Sequence, residues 1–256
     1  MDILIGLSLN ILLPLAIVAV MHFWIGSYPA PYPESQNKQR EIIEVLGLWL
    51  LVLVVSTAFT LSRPLDELQN PTASMILGFI GYTMIPSLIL PIAYVVFVQK
   101  WTIRDLGFVL PRSWPMVAFA LALFVLGEVL PLIGETRSPL PWSFIAIAVY
   151  QPAFIEEFFF RVILQGKLER ALGQNRAWFY SGILFGLMHV PVDFFGPQFY
   201  AHGSSYVNAS LLLLTQITFG WIYGIIYSKT RSILPGMLAH FMIDFRLGSI
   251  LLHLAP

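Results

Sequence analysis

Six ionisable side chains fall within stretches of sequence that are otherwise almost wholly apolar. The stretches read AFIEEFFFRVIL, FGLMHV and LAHFMIDF, and the side chains are Glu156, Glu157, Arg161, His189, His240 and Asp244. A charge at the centre of a bilayer costs between about 2.5 and more than 10 kcal/mol, so ionisable groups there are candidates for function. Imidazole and carboxylate groups can bind a metal ion or transfer protons. These residue types therefore indicate hydrolytic chemistry.

The first stretch offers two neighbouring carboxylates with different surroundings. Glu157 and Arg161 are four residues apart, so they can pair on one face of a helix. Glu156 is turned about 100° away and can face another helix. We expect the pair to be mainly structural, because pairing is the least costly way to keep both charges in lipid. Because Glu157 is next to Glu156, we also include it among the candidate catalytic residues.

The other two stretches supply imidazoles. His240 and Asp244 are also four residues apart, so one helix face presents both groups to the same cavity. Phe185 precedes His189 by four residues and is expected to stack on its inner face. Each His also has a structural interpretation as a partner in a helix–helix hydrogen bond, and Asp244 as the acceptor that orients His240.

Two mechanisms are open at this stage. Two imidazoles and a carboxylate are a common ligand set for catalytic Zn²⁺, which predicts a zinc ion held by His189, His240 and either Glu156 or Asp244. A further carboxylate would then act as general base. Without metal, Glu156 could deprotonate water while His240 and its neighbours stabilise an oxyanion.

Composition supports a membrane setting for these groups. Of the 256 residues, 57% are hydrophobic and only 11% are charged, against roughly 25% charged in soluble domains. The chain has 14 basic and 14 acidic side chains and no cysteine. A net charge of zero argues against nucleic-acid binding, and the lack of cysteine excludes disulfides, thiolate metal sites and a cysteine nucleophile.

Eight stretches are long and apolar enough to be membrane spans of about 20 residues. They are Ile3–Ile25, Ile42–Leu61, Met75–Val98, Pro115–Ile133, Trp142–Gln165, Ala177–Phe195, Val207–Tyr227 and Ile233–Leu254. Their short connections predict one all-α, polytopic domain over residues 1–256. The catalytic cavity is expected between the fifth, sixth and eighth spans.

The distribution of basic residues predicts the orientation. Ten of the 14 Lys and Arg fall in the odd-numbered loops and two in the even-numbered loops, which places the odd loops in the cytoplasm and both termini on the outer side. Glu156, His189 and His240 then lie nine to thirteen residues from the cytoplasmic ends of their spans. At ~1.5 Å per residue these depths are about 14–20 Å, so the three groups meet at one level.

One connection is predicted to lie in the cytoplasmic headgroup layer. Residues 99–114 (QKWTIRDLGFVLPRSW) mix aromatic and basic side chains, which is typical of a segment at the membrane surface.

The three motifs together resemble a known family. Glu156-Glu157-Phe-Phe-Phe-Arg161, Phe185-Gly-Leu-Met-His189 and His240-Phe-Met-Ile-Asp244 are similar, in order and separation, to those of the intramembrane CAAX-processing endopeptidases. This family is also called the Rce1, bacteriocin-processing (CPBP) or abortive-infection family. The resemblance covers about residues 142–250, and residues 104–107 (RDLG) look like a weaker upstream feature.

The resemblance implies an all-helical, eight-span protease that opens toward the cytoplasm. It implies that Glu156 activates water, that His189 and His240 bind metal or stabilise the oxyanion, and that Asp244 assists. The prenyl-protein branch of the family tends to have Asn where this chain has Asp244, and the added carboxylate favours metal ligation. We therefore expect a bacterial inner-membrane enzyme that cleaves a membrane-associated, in some cases lipidated, protein or peptide.

Two other functions fit parts of the same pattern. A non-catalytic scaffold or bacteriocin-immunity protein could keep the fold, although all the expected catalytic residues are present. An ion or proton transporter could use buried His and carboxylate groups as a relay. The chain has no inverted repeat, however, and its ionisable groups gather at one level.

Overall fold

The structure is all-helical wherever it is described. The computed structural model describes residues 11–61, 84–129, 153–196 and 205–245 together with Gly78 and Gly81, apart from the side chains at 59–60, 126–129 and 242–245. Every regular element in these ranges is a helix, as the sequence predicts. The helices are α1 (Leu13–Phe23), α2 (Lys38–Leu61), α3 (Ile85–Val98), α4 (Trp114–Val129), α5 (residues 155–172), α6 (Gln174–Met188), α7 (Val190–Phe195), α8 (Tyr206–Thr230) and α9 (Leu234–Phe245).

Each of the eight apolar stretches contains helix. By length and composition, two of the described helices are able to cross a membrane, namely α2 over Lys38–Ala58 and α8 over its whole length. The apolar helices α1, α3 and α4 are shorter in the described part of the chain. The all-α class is confirmed, and the number of spans stays a prediction.

The central element is α5. Every residue from Glu157 to Glu169 is buried, and the phenylalanines of its first two turns contribute to the larger of the two hydrophobic clusters in the described residues. Between Phe158 and Gln165 the helix is π-helical. Such π turns are rare and often lie at functional sites, because the extra residue in each turn shifts the direction of the side chains that follow.

Glycines allow α6 and α8 to approach closely. A Cβ atom at Gly220 would lie 2.7 Å from the carbonyl oxygen of Gly182, and one at Gly182 would lie 2.8 Å from the backbone nitrogen of Trp221. Both distances are shorter than any van der Waals contact, so only glycine fits at either position. Small residues at helix interfaces are typical of membrane proteins, where association depends on close packing.

Buried ion pairs join the ends of several helices to α5. Lys167 Nζ lies 2.6 Å from a carboxylate oxygen of Glu41 and 2.6 Å from one of Glu44, both on α2. Arg231, which follows α8, makes two hydrogen bonds of 2.6 Å to the Glu169 carboxylate. Paired in this way, the charges can be buried without a large loss of stability.

A buried lysine closes the end of α1. Lys229 is 1% exposed, and its ammonium donates to the backbone carbonyls of Met21, His22, Ile25 and Gly26 at 2.6, 2.9, 2.9 and 3.0 Å. The last carbonyls of a helix have no partner within the helix. Lys229 therefore satisfies the C-terminal end of α1 and joins it to α8.

Candidate active site

Glu157 is the buried centre of the site. Its side chain is 1% exposed. Its Oε1 atom lies 3.1 Å from Nδ1 of His240, and its Oε2 atom lies 3.4 Å from Nε of Arg161. An ionised carboxylate can only accept hydrogen bonds, so both nitrogens donate to it. The predicted pair of Glu157 and Arg161 is present, and the same carboxylate also holds His240.

Aromatic rings fix the plane of the His240 imidazole. The Tyr223 ring stacks on it with centroids 4.7 Å apart and an interplanar angle of 19°. Phe185 meets it edge-on at a centroid distance of 5.9 Å. Because Nδ1 carries the hydrogen donated to Glu157, Nε2 carries the lone pair when the ring is neutral.

Glu156 faces this second nitrogen. Its Oε2 atom lies 3.9 Å from Nε2 of His240, and its side chain is 20% exposed against 1% for Glu157. The separation is longer than a direct hydrogen bond and suits a bridging water. The two adjacent glutamates thus approach different nitrogens of the same imidazole, whereas their angular offset predicted only that they lie on different faces of the helix.

Arg161 is buried among aromatic rings. Its guanidinium carbon lies 5.0 Å from the centroid of Phe185 and 5.7 Å from that of Tyr223. Its Nη1 atom is 3.4 Å from Ser181 Oγ, which donates to the Phe160 carbonyl at 2.9 Å. Within the described residues its Nη2 atom has no hydrogen-bond partner. These contacts support a structural role in which Arg161 balances the charge of Glu157.

His189 lies at the break between α6 and α7. Pro191 in the first turn of α7 explains the break, because proline lacks the N–H that would continue the helix. Nδ1 of His189 donates to the Phe185 carbonyl at 2.9 Å. The two rings are tilted by 58° at 5.1 Å, whereas the sequence predicted stacking. Phe185 therefore contacts both imidazoles of the site.

The structure brings only some of the predicted metal ligands together. Within the described residues, no group of three or more His, Asp or Glu side chains is placed to hold a metal ion. His240 approaches Glu156. The ring of Phe185 contacts the imidazoles of both His189 and His240. Asp244 lies one turn after His240 on α9, and its side chain is outside the described part of the chain.

Two residues of the site are not indicated by the motifs. Gly236 lies one turn before His240, and a Cβ atom there would be 2.7 Å from Oε2 of Glu157. Tyr223 stacks on His240 from α8. The sequence did offer a signal for Gly236, because a glycine four residues before a motif His indicates that another group packs closely against the backbone on the same helix face. Tyr223 offered no comparable signal, because its contact depends on how α8 packs.

Comparison with known families matches part of the chain to a protease family. Residues 138–246 match a family model described as Rce1-like, type II CAAX prenyl endopeptidase Rce1-like. The matched segment contains all three motifs and every residue placed in the site. Comparisons with curated proteins and with solved structures find no match.

Proposed function

From the match of residues 138–246 to the Rce1-like family model of type II CAAX prenyl endopeptidases, we propose that the chain is an intramembrane, glutamate-dependent endopeptidase. Its substrate is a membrane-associated protein or peptide, and a prenylated C-terminal segment is the first to test. The supporting observation is the 3.9 Å gap between Glu156 Oε2 and His240 Nε2. A water molecule beside these two atoms can hydrogen-bond to both the base and the imidazole.

Glu156 begins the reaction as general base. The water gives a proton to the Glu156 carboxylate while its oxygen adds to the carbonyl carbon of the scissile bond. Negative charge then develops on the carbonyl oxygen. His240 in its imidazolium form, held by Glu157, donates its Nε2 hydrogen to that oxygen.

The second half of the reaction returns the proton. When the tetrahedral intermediate collapses, the carbon–nitrogen bond breaks and Glu156 protonates the leaving amine. The products are a carboxylic acid and an amine, and water is the one co-reactant. Arg161 and Glu157 touch neither reacting atom in this scheme and act by positioning His240.

The test compares two Glu→Gln variants of the purified, reconstituted protein on a prenylated peptide substrate. Glu156→Gln is expected to lower kcat at least ~100-fold, because it removes the general base. Glu34→Gln is the matched control, since Glu34 is 74% exposed and lies outside the site. Both variants should keep the wild-type melting temperature.

Two outcomes contradict the proposal at different levels. Substantial turnover by Glu156→Gln rules out this residue as the base. A wild-type chain that cleaves neither prenylated nor unmodified membrane-anchored peptides contradicts the protease function and favours the non-catalytic scaffold.

We propose separately that Zn²⁺ binds at this site through His189, His240 and either Glu156 or Asp244, which leaves one coordination position open for water. The donor chemistry fits, because the Nδ1 atom of each His contacts an oxygen acceptor, an arrangement typical of histidines that bind metal through Nε2. A bound zinc would supply a Lewis acid for the developing oxyanion. This role needs the neutral form of His240, whereas the metal-free scheme needs the imidazolium.

Metal analysis distinguishes the two schemes. We expect stoichiometric zinc in the wild type and in His22→Ala, whose imidazole hydrogen-bonds Tyr28 away from the site. Zinc should be lost from His189→Ala and His240→Ala, and chelation should abolish activity. An active wild-type preparation without stoichiometric metal would leave the glutamate-and-histidine mechanism.

The proposed location is the bacterial inner membrane. In this arrangement all eight stretches span the bilayer, both termini lie outside, and the site opens toward the cytoplasm. The excess of Lys and Arg in the odd loops supports the orientation.

A further inference from the structure

A pocket that is separate from the candidate active site lies where three connecting segments meet. Its volume is about 430 Å³. The polar residues that line it come from the segment after α1, the segment between α3 and α4, and the residue that follows α8. They are Tyr32, Thr102, Arg104, Asp105, Arg112 and Arg231.

Two of the four charges in the pocket wall are already paired. Arg231 is bound by the Glu169 carboxylate through two hydrogen bonds of 2.6 Å. Asp105 lies 3.0 Å from Nη2 of Arg170. Burial raises the pKa of Asp105, but its hydrogen bonds with Thr102 and the charge of Arg170 outweigh this and hold the pKa below its usual value. Asp105 is therefore ionised and forms an ion pair with Arg170.

Arg104 and Arg112 are the charges that remain. Both are exposed, and neither forms an ion pair with any other residue in the described part of the chain. Two guanidinium groups at one pocket are suited to the oxygens of a phosphate group, which arginine can bind through paired hydrogen bonds.

The backbone that carries these two arginines is held in place. Arg112 donates its N–H to the Thr230 carbonyl at 2.8 Å, and the Gly107 carbonyl accepts from Ile233 at 3.1 Å. Gly107 has a φ of +74°, and a Cβ atom there would lie 3.2 Å from Val162 on α5. The segment is thus fixed against α5 and the end of α8, which limits the entropy lost when a ligand binds.

Large apolar side chains on the same segment point outward. Ile103 is 64% exposed, Leu110 80% and Trp114 63%. Alternation of arginines with exposed aliphatic and indole groups is typical of a segment that lies in the headgroup layer of a membrane. A ligand of this pocket that also carries acyl chains could contact both groups of residues.

From this arrangement we infer that the pocket between Tyr32, Arg104 and Arg112 binds the phosphate-bearing headgroup of an anionic phospholipid from the adjacent leaflet. Its phosphate lies between the two guanidinium groups, and its acyl chains run along Leu110 and Trp114. The site is independent of peptide hydrolysis and can be tested by binding alone.

The experiment titrates the full-length protein in neutral detergent with phosphatidylglycerol or phosphatidylcholine and measures binding by native mass spectrometry. The double variant Arg104→Gln/Arg112→Gln should weaken phosphatidylglycerol binding about tenfold or more, at roughly 1 kcal/mol for each basic residue near the surface. The control Lys100→Gln/Arg176→Gln removes the same charge from exposed positions outside the pocket and should change binding less than about twofold.

Two further measurements distinguish binding of a lipid from binding of a soluble anion. Leu110→Ser should weaken phosphatidylglycerol binding, and excess inorganic phosphate should not displace the lipid. Displacement by phosphate, or full binding by Leu110→Ser, would show a site for soluble anions and overturn the proposal. Equal losses in the two double variants would show diffuse attraction alone. No loss in either, with unchanged melting temperatures, would show that the pocket does not bind the headgroup.

Discussion

Adjacent glutamates have different roles because a helix turns them to different surroundings. Glu157 is almost wholly buried and accepts from Arg161 and His240. Glu156 is partly exposed and faces the other nitrogen of the same imidazole. A group that must exchange protons with a substrate needs access, whereas one that orients a neighbour needs fixed contacts. The exposure of each carboxylate therefore matches its proposed role.

Arg161→Ala should destabilise the fold before it affects the chemistry. Removing the guanidinium leaves the Glu157 carboxylate as an uncompensated buried charge, with an expected loss of about 3–5 kcal/mol of unfolding free energy. Thermal unfolding in detergent measures this loss. Arg176→Ala, at an exposed position on α6, is the control and should melt like the wild type. If Arg161→Ala also melts normally but is inactive, Arg161 contacts substrate and its structural assignment is wrong.

The spacing within each helix predicted part of the site, and packing between helices determined the rest. Offsets of one and four residues were enough to place Glu156 and Glu157 on different faces and to pair the latter with Arg161. They could not predict that Tyr223 stacks on His240 or that Gly236 makes room for the Glu157 carboxylate. Those contacts depend on how α8 and α9 are rotated against α5.

Helix positions were easier to predict than helix geometry. Apolar length alone placed helix in all eight stretches, because backbone groups in lipid must be satisfied within the segment. The π-helical turns at Phe158–Gln165 had no sequence signature. The break at His189 falls inside a stretch predicted as one span, although Pro191 was visible there as a helix breaker.

The contact between α6 and α8 gives a prediction with a matched control. Gly220→Ala places a methyl group 2.7 Å from the Gly182 carbonyl oxygen, so the helices must separate at an expected cost of about 1–3 kcal/mol. Gly47→Ala makes the same change in α2, where nothing lies within 4 Å of the new Cβ, and should be neutral or slightly stabilising. Chemical unfolding compares the two variants. Equal stability would mean that the close contact does not contribute.

Activity should follow the same pattern. Because α6 carries Phe185 and ends just before His189 while α8 carries Tyr223, separation of these helices displaces the rings around His240. Gly220→Ala is therefore expected to lower kcat several-fold even below its melting temperature, with Gly47→Ala at the wild-type value.

Across the whole molecule, buried charges at the helix ends hold separate parts of the chain together. Composition predicted a membrane protein, and the family and two long apolar helices are consistent with that location. Composition could not predict that Lys167 and Lys229 are buried among partners from distant segments. In sequence they are indistinguishable from solvated loop lysines, because their partners are remote in the chain.

Lys229→Met should release α1 from the rest of the molecule. The variant keeps the length of the side chain but leaves the carbonyls at the end of α1 without their donor, at an expected cost of about 2–3 kcal/mol. Hydrogen exchange should rise over residues 13–26 and change little in α5. Lys100→Met, at an exposed position, serves as the control. Unchanged protection of α1 in Lys229→Met would show that apolar contacts alone hold that helix.

The distance along the chain between Lys229 and its acceptors also sets an order of assembly during synthesis. Met21 and Lys229 are 208 positions apart. At about 5–20 residues per second, a ribosome takes about 10–40 s to synthesise the intervening segment. Throughout that interval α1 has left the ribosome without the group that closes its end. The first of these helices to be synthesised is thus among the last to reach its final position, and a nascent chain stalled before Lys229 should leave α1 undocked.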